Sequence, residues 1–168
     1  MIISLLATTL AMTEPSNLLL EKQVNNLWNS LSNDPQSKPN IDSLNQLFKE
    51  NAIVVGITYK NGEASFNLMQ ASKFIASQNR IKPNGFYECE ISRELRVSGD
   101  FATVLSVVES RRNLEQKKAD FTGLNSMQWV NVGNDWKLIS LYYYLPYDEK
   151  GDLLLSGTPG KCLNQQTR

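Results

Sequence analysis

The sequence predicts a single α+β domain in which helices pack on one face of an antiparallel sheet. Three observations carry that prediction. Residues 85–144 alternate apolar and polar side chains through four segments, as half-buried strands do. Two Gly-led turns, Ser98-Gly99-Asp100-Phe101 and Val132-Gly133-Asn134-Asp135, divide those segments into hairpins. Ahead of them, Leu20, Val24, Leu27, Trp28 and Leu31 recur at helical spacing. At 168 residues and 41% hydrophobic content, the chain is long enough to bury a core within one domain.

Residues 1–12, MIISLLATTLAM, form an apolar run that ends in small residues before Thr13-Glu14-Pro15-Ser16. The run resembles the end of a secretory signal that lacks its basic n-region. That reading favours a periplasmic or secreted protein over a cytoplasmic one. The alternatives are a true start at Met12 or a docked N-terminal segment. Residues 1–16 are therefore set apart, 17–147 are taken as the domain and 148–168 as a C-terminal tail.

Ser16 or Asn17 caps a first helix that runs to about Leu31. Pro35 and Pro39 mark residues 33–40 as a loop. Ile41, Leu44, Leu47 and Phe48 form the apolar face of a second, short helix. Residues 52–57 read as a strand, Asn61-Gly62 as a hairpin turn and residues 64–66 as a brief return. Leu68, Ala71, Phe74 and Ile75 suggest a third helix that stops near Lys82-Pro83-Asn84-Gly85. In the tail, only Leu153-Leu154-Leu155 is apolar enough to dock.

Turn length sets hairpin register. With two-residue loops, Val97 faces Ala102, Leu95 faces Val104 and Arg93 faces Ser106. In the second hairpin Val130 faces Lys137, Gln128 faces Ile139 and Ser126 faces Leu141. The charged connection at residues 113–120 is longer, and a register that keeps the faces consistent sets Ser106 beside Gln128 and Val108 beside Ser126. Strand alternation then places Cys89, Ile91, Leu95, Val97, Ala102, Val104, Val108, Leu124, Val130, Ile139, Leu141 and Tyr143 beneath the helices. The opposite set mixes Glu88, Glu90, Glu94, Arg96, Glu109, Arg111 and Asn125 with Leu105, Val107, Met127, Trp129, Trp136 and Leu138. A face rich in Trp, Met and Arg suits a subunit interface, so we expect a homodimer through Trp129 and Trp136.

Within the covered set, Arg93, Ser106 and Gln128 share one row, with Ser126 a row away. A lone buried arginine is costly and demands a partner. That partner is a pocket ligand, anionic or carbonyl-bearing, or else a helix carboxylate such as Glu21 or Glu50, or solvent at the rim. Trp28 and Tyr143 supply pocket walls in the first case.

Composition excludes several functions. Seventeen basic residues balance seventeen acidic ones, which argues against a nucleic-acid binder. No apolar stretch approaches the ~20 residues that cross a bilayer. The chain has no histidine, which removes Ser-His-Asp and Cys-His nucleophile arrangements. Cys89 and Cys162 are too few for a zinc site; they pair in a disulfide, or Cys89 is a small core residue. No glycine-rich phosphate loop or ligand cluster occurs, so no cofactor is expected.

Helix, helix, short hairpin, helix, then a curved meander is the element order of the NTF2-like fold, shared by SnoaL-type cyclases and ketosteroid isomerase. Gly85-Phe86-Tyr87-Glu88, Val97-Ser98-Gly99-Asp100-Phe101-Ala102-Thr103-Val104 and Val108-Glu109-Ser110-Arg111 resemble the middle strands of SnoaL-like and DUF4440-like proteins. Gly123-Leu124-Asn125-Ser126-Met127-Gln128 and Asp135-Trp136-Lys137-Leu138-Ile139-Ser140 resemble their last two strands. The resemblance covers about residues 18–144. It implies a cone in which three N-terminal helices pack on a curved antiparallel sheet, and a small organic molecule bound inside it. The family's enzymes work with acids buried in the cone, yet the covered face assigned above offers none. Acids from the helices or first hairpin, such as Glu21, Glu50 or Glu63, would have to serve an isomerase, dehydratase or cyclase. The expectation is therefore a ligand-binding cone lined by Arg93, Ser106, Ser126, Gln128, Tyr143 and Trp28, with acid–base catalysis and a dimeric interaction module as alternatives.

Overall fold

The computed structural model describes residues 16–60, 62–146 and 157–164. The apolar N-terminal run and the Leu153-Leu154-Leu155 triplet lie outside the described residues. In chain order the elements are α1 (Ser16–Leu31), α2 (Ile41–Leu47), β1 (Phe48–Lys60), β2 (Glu63–Gln70), α3 (Ala71–Gln78), β3 (Tyr87–Ser98), β4 (Phe101–Arg111), β5 (Phe121–Val132) and β6 (Asp135–Tyr144). The strands form one sheet in the order β2-β1-β6-β5-β4-β3. No helix among them is long and apolar enough to cross a membrane.

The sheet is mixed rather than purely antiparallel, because β1 runs parallel to β6. A parallel pair needs a long crossover, and here α3 and the β3–β5 meander supply it. The first hairpin is also longer than its short apolar run suggests: its paired residues extend from Ile53↔Gln70 to Lys60↔Glu63. Leu68, read above as the start of the third helix, instead sits on β2 and is 69% exposed.

α1 forms where its apolar spacing predicts, and Leu20, Val24, Leu27, Trp28 and Leu31 are all buried. Asn40 starts α2 by accepting a hydrogen bond from the Ser43 backbone N–H at 3.0 Å, which satisfies a donor the first turn leaves unpaired. Leu44 and Leu47 of α2, with Ala71 and Ile75 of α3, close over the same core. Each fully buried Leu or Val contributes roughly 1.5–3 kcal/mol, and this shared interior holds helices to sheet.

Both meander turns have two-residue loops. At the first only Gly99 takes a positive φ, +58°, as a type II′ turn requires; at the second Gly133 and Asn134 both do, +63° and +66°, as in type I′. The expected pairs Val97↔Ala102, Leu95↔Val104 and Arg93↔Ser106 form, as does Val130↔Lys137.

Beyond the turns the faces depart from simple alternation at three places. Between β4 and β5, Val108 pairs with Gly123 rather than Ser126. That slip is an odd number of residues, so it turns every β5 side chain over. Met127 and Trp129 are fully buried in the core, and Ser126 and Gln128 are exposed on the outer face. In β6 the register shifts as Trp129↔Leu138 gives way to Gln128↔Ser140, leaving Ile139 as an extra residue. This bulge lets Trp136 and Leu138 face inward before it, and Leu141 after it. The same irregularity in β3, between Glu90↔Val108 and Ser92↔Val107, sets Ile91 as the extra residue. It puts Glu88 and Glu90 on the same inward face as Arg93, Leu95 and Val97.

These shifts overturn the expected dimer face. Trp129 and Trp136 are 0% and 1% exposed, held under the helices where two large rings gain most from leaving water. The outer face instead exposes Phe66 and Leu68 of β2 and Tyr142 of β6.

Cys89 and Cys162 form a disulfide that fastens residues 157–164 to β3. β3 ends the sheet, so its outer backbone groups have no strand partner. The Leu163 N–H donates to the Glu90 carbonyl at 2.7 Å, and the Asn164 Oδ1 accepts from the Glu90 N–H at 2.9 Å. A side chain at Gly157 would put its Cβ 2.3 Å from the Ile91 carbonyl oxygen, so only glycine allows this approach. Gly160 N–H donates to Glu109 at 2.9 Å, capping the buried Arg111–Glu109 ion pair.

Candidate functional site

The Ile91 bulge delivers two carboxylates to the interior, and their surroundings differ. Glu90 is fully buried. It accepts from Arg93 Nε at 3.0 Å, and its two oxygens are also held by Arg93 Nη2 and the Ser106 hydroxyl. Arg93 Nη2 donates as well to Asn25 Oδ1 of α1, at 2.5 Å. Arg93 and Ser106 thus lie side by side as expected, but on a carboxylate two strand positions before the expected row. The group is a closed internal ion pair, and none of its members lines the cavity described next.

Glu88 stands two pairs further along β3, opposite Ser110. It accepts a 2.8 Å hydrogen bond from the Ser110 hydroxyl. Burial pushes its carboxyl up to about 7, against the opposing pull of the Ser110 hydrogen bond and the Lys82 ammonium. Lys82 is itself pushed down, first by burial and then by Arg80, with Glu88 pulling the other way. Its ammonium bonds to Gln78 at 3.3 Å and sits 4.7 Å over the Phe86 ring.

Glu88 opens on a cavity of about 170 Å³ between α1, α3 and the inner sheet face. Its walls are mostly apolar or aromatic, including Leu31, Phe74, Phe86, Phe121 and Leu141, and Trp28 and Tyr143 line it as expected. Trp28 is 2% exposed, and its indole N–H has no hydrogen-bond partner. Asn125, buried on β5, lines the same space. Tyr143 lies across Gly56, where an added Cβ would come within 2.2 Å of its hydroxyl oxygen; a glycine is what lets this ring lie flat against β1. Glu88 also borders a wide open cleft of about 1270 Å³, walled in part by Asp34, Tyr87, Arg111 and Asn164.

Of the six residues singled out from the sequence, the structure brings Trp28 and Tyr143 to the cavity. Arg93 and Ser106 meet in the ion pair beside it, and Ser126 and Gln128 face outward, where Gln128 accepts from Ser140 at 3.0 Å. The expectation that the inner face lacks acids is corrected: Glu88 and Glu90 both belong to it. Glu88, Ser110 and Asn125 were the residues missed. One signal pointed to them. An inward Arg93 needs a carboxylate, and Glu90 can reach it only if an extra residue breaks alternation between them.

This geometry, a half-closed hollow between helices and a bent sheet with an acid inside, can take up a small molecule and exchange a proton with it. No family model matches the sequence, and no curated protein matches it. Solved structures do. A protein with a cystatin-like fold from Nostoc punctiforme PCC 73102 aligns at TM-score 0.58 and 13% identity, over 83% of this chain and 97% of its own. An NTF2-like protein of unknown function from Shewanella baltica OS155 aligns at TM-score 0.54 and 13% identity, over 81% and 100%. An NTF2-like protein from Cytophaga hutchinsonii ATCC 33406 aligns at TM-score 0.53 and 16% identity, over 80% and 100%. At these identities the likeness is one of architecture, and on it this chain has the NTF2-like fold.

Proposed function

We propose that the chain binds a small organic molecule in the 170 Å³ cavity and performs acid–base chemistry on it with Glu88, as an isomerase or dehydratase of a carbonyl compound. One observation carries this reading: a carboxyl group raised to about 7 by burial on the wall of a mostly apolar cavity. A general base works best with a pKa near the operating pH, and burial is the usual means of raising a carboxylate there.

In the proposed cycle, ionised Glu88 accepts a proton from the carbon next to a substrate carbonyl. Ser110, donating to one carboxylate oxygen, fixes the group's orientation and leaves the other oxygen for the substrate. The negative charge moving onto the substrate oxygen would be met by uncharged polar side chains on the wall, Asn125 and Tyr143 among them. Glu88 then returns the proton to a different carbon, giving an isomer, or assists loss of a neighbouring hydroxyl. The Cys89–Cys162 disulfide supports an oxidising compartment, in keeping with export.

The test is deuterium incorporation into a generic carbon acid, cyclohexanone, in D₂O followed by NMR. Wild type should accelerate exchange above the buffer rate, with activity rising through about pH 7 as Glu88 ionises. Glu88→Gln should return exchange to the buffer rate. Equal exchange by wild type and Glu88→Gln would remove Glu88 from the mechanism.

A further inference from the structure

The strap formed by residues 157–164 is held to the domain by very little apolar surface. Among its described residues only Asn164 is buried, while Thr158, Pro159, Lys161 and Leu163 are exposed. Hydrophobic burial therefore contributes little to its attachment. What holds it is a row of hydrogen bonds. The Leu163 N–H donates to the Glu90 carbonyl at 2.7 Å, and the Glu90 N–H donates to Asn164 Oδ1 at 2.9 Å. Asn164 Nδ2 donates both to the Glu88 carbonyl at 2.8 Å and to Asn29 Oδ1 of α1 at 3.0 Å. The Gly160 N–H adds its bond to Glu109. One hydrogen bond contributes, net, about what fixing one residue's backbone costs, and these bonds are fewer than the residues they order. The Cys89–Cys162 disulfide supplies what is missing.

That covalent bond lies where a reagent can reach it. Both cysteines line the open cleft of about 1270 Å³ that Glu88 borders. Cys89 is 5% exposed, whereas Cys162 is only partly covered, so an attacking thiolate meets the Cys162 sulfur first. Accessible disulfides are the ones that exchange with thiols; those sealed in a core do not. The bonds from Asn164 end on Glu88 and on α1, so a change at the disulfide is transmitted to the wall beside the carboxylate.

We propose that Cys89–Cys162 is a thiol–disulfide exchange site whose opening by a dithiol releases residues 157–164 from β3, with the sheet still folded, and bares the Glu88 wall to the cleft. One thiolate of the dithiol attacks Cys162 Sγ, forming a mixed disulfide and expelling the Cys89 thiolate. The second thiolate then displaces Cys162. The two protons of the dithiol pass to the cysteines through water, so both cysteines end as thiols and the dithiol ends as a disulfide. In an oxidising compartment the latch rests closed. Opening it frees the Glu90 backbone groups on the sheet edge and takes Gly160, Cys162 and Asn164 out of the cleft wall. Release does not need Glu88 to be catalytic; control of turnover by release rests on the acid–base reading above.

The test treats wild type with dithiothreitol in the absence of denaturant, counts free thiols by alkylation and mass spectrometry, and follows amide hydrogen exchange. Thiol appearance should be first order in dithiothreitol and unchanged by urea well below the unfolding midpoint, because the folded protein itself reacts. On reduction the Leu163 and Glu90 amides should exchange faster by about tenfold or more, while amides of the β4–β5 ladder keep their protection. Cys162→Ser should show the same two fast amides without reductant. The Glu88 carboxyl, at about 7 in the closed form, should titrate at lower pH once water enters from the cleft. Thiols that appear only on global unfolding, Leu163 and Glu90 amides that stay protected after reduction, or a Glu88 titration unmoved by release would overturn the proposal. Release that proceeds as described in a protein that never accelerates deuterium exchange, oxidised or reduced, would sink the catalytic reading and leave this one standing.

Discussion

Replacing Glu88 by glutamine keeps the side chain's shape and its acceptor for Ser110, and removes only the titration. In the folded protein the carboxyl is pushed from its ordinary 4.5 to about 7 by burial. The folded chain therefore holds a proton that the unfolded chain has already released between those two values. Stability falls with pH wherever the folded state binds more protons. The contribution from this group is thus fully present below about 4.5, declines as pH rises and is lost above about 7. At ~1.4 kcal/mol for each tenfold change in proton affinity, the total is roughly 3 kcal/mol. The assay is urea denaturation of wild type and Glu88→Gln at intervals from pH 5 to 8. The difference between the two removes every other carboxylate common to both. It should change by most of that amount across the interval, with Glu88→Gln relatively more stable at the alkaline end. Ser110→Ala, which deletes a hydrogen bond favouring the ionised form, should move the midpoint of wild-type titration to still higher pH. A difference that stays flat from pH 5 to 8 would show that Glu88 is not desolvated, and the acid–base reading would lose its foundation.

Three further outcomes are expected. Arg93→Ala strands a fully buried Glu90 without its cation and should destabilise by about 3–5 kcal/mol, a fall in Tm on the order of 10 °C; replacing Arg93 and Glu90 together by methionine should recover most of it, and a mild effect of Arg93→Ala alone would refute the internal ion pair. Cys162→Ser opens a loop of 73 residues in sequence separation, and chain entropy sets the loss at about 4 kcal/mol; unfolding with and without reductant checks it, because reductant should shift wild type and leave Cys162→Ser unchanged. Gly56→Ala places a methyl 2.2 Å from the Tyr143 hydroxyl oxygen, so the ring must move, with a cost of about 1–3 kcal/mol and weaker cyclohexanone binding; unaltered affinity would mean that Tyr143 is not part of the working wall.

Local physics made much of this molecule legible. Gly99-Asp100 and Gly133-Asn134 announce two-residue turns, because few residues besides glycine and asparagine tolerate positive φ. Those turns fix the pairs nearest to them, Arg93↔Ser106 included. The apolar spacing of α1 is likewise a property of consecutive residues, and it located Trp28 correctly. Tyr143 was placed correctly too, although by a route that skipped a β6 bulge.

What failed to be legible lies where two distant segments choose a register. Nothing near Gly123 in the chain says that it sits across from Val108, yet that pairing sends Trp129 inward and Gln128 outward. The choice is made by the interior as a whole, since this register buries Met127, Trp129, Trp136 and Leu138 together.

Composition and short-range pattern alone thus determined the fold class, the turns, the first helix and the absence of histidine chemistry. Tertiary packing decided the rest: one extra residue at Ile91 and another at Ile139 reverse which side chains face the hollow. A side-chain period of two carries no memory across a bulge. Whether this chain hides an arginine alone, or an Arg93–Glu90 ion pair with a second inward carboxylate beside it, was therefore settled only when the strands closed around their shared core.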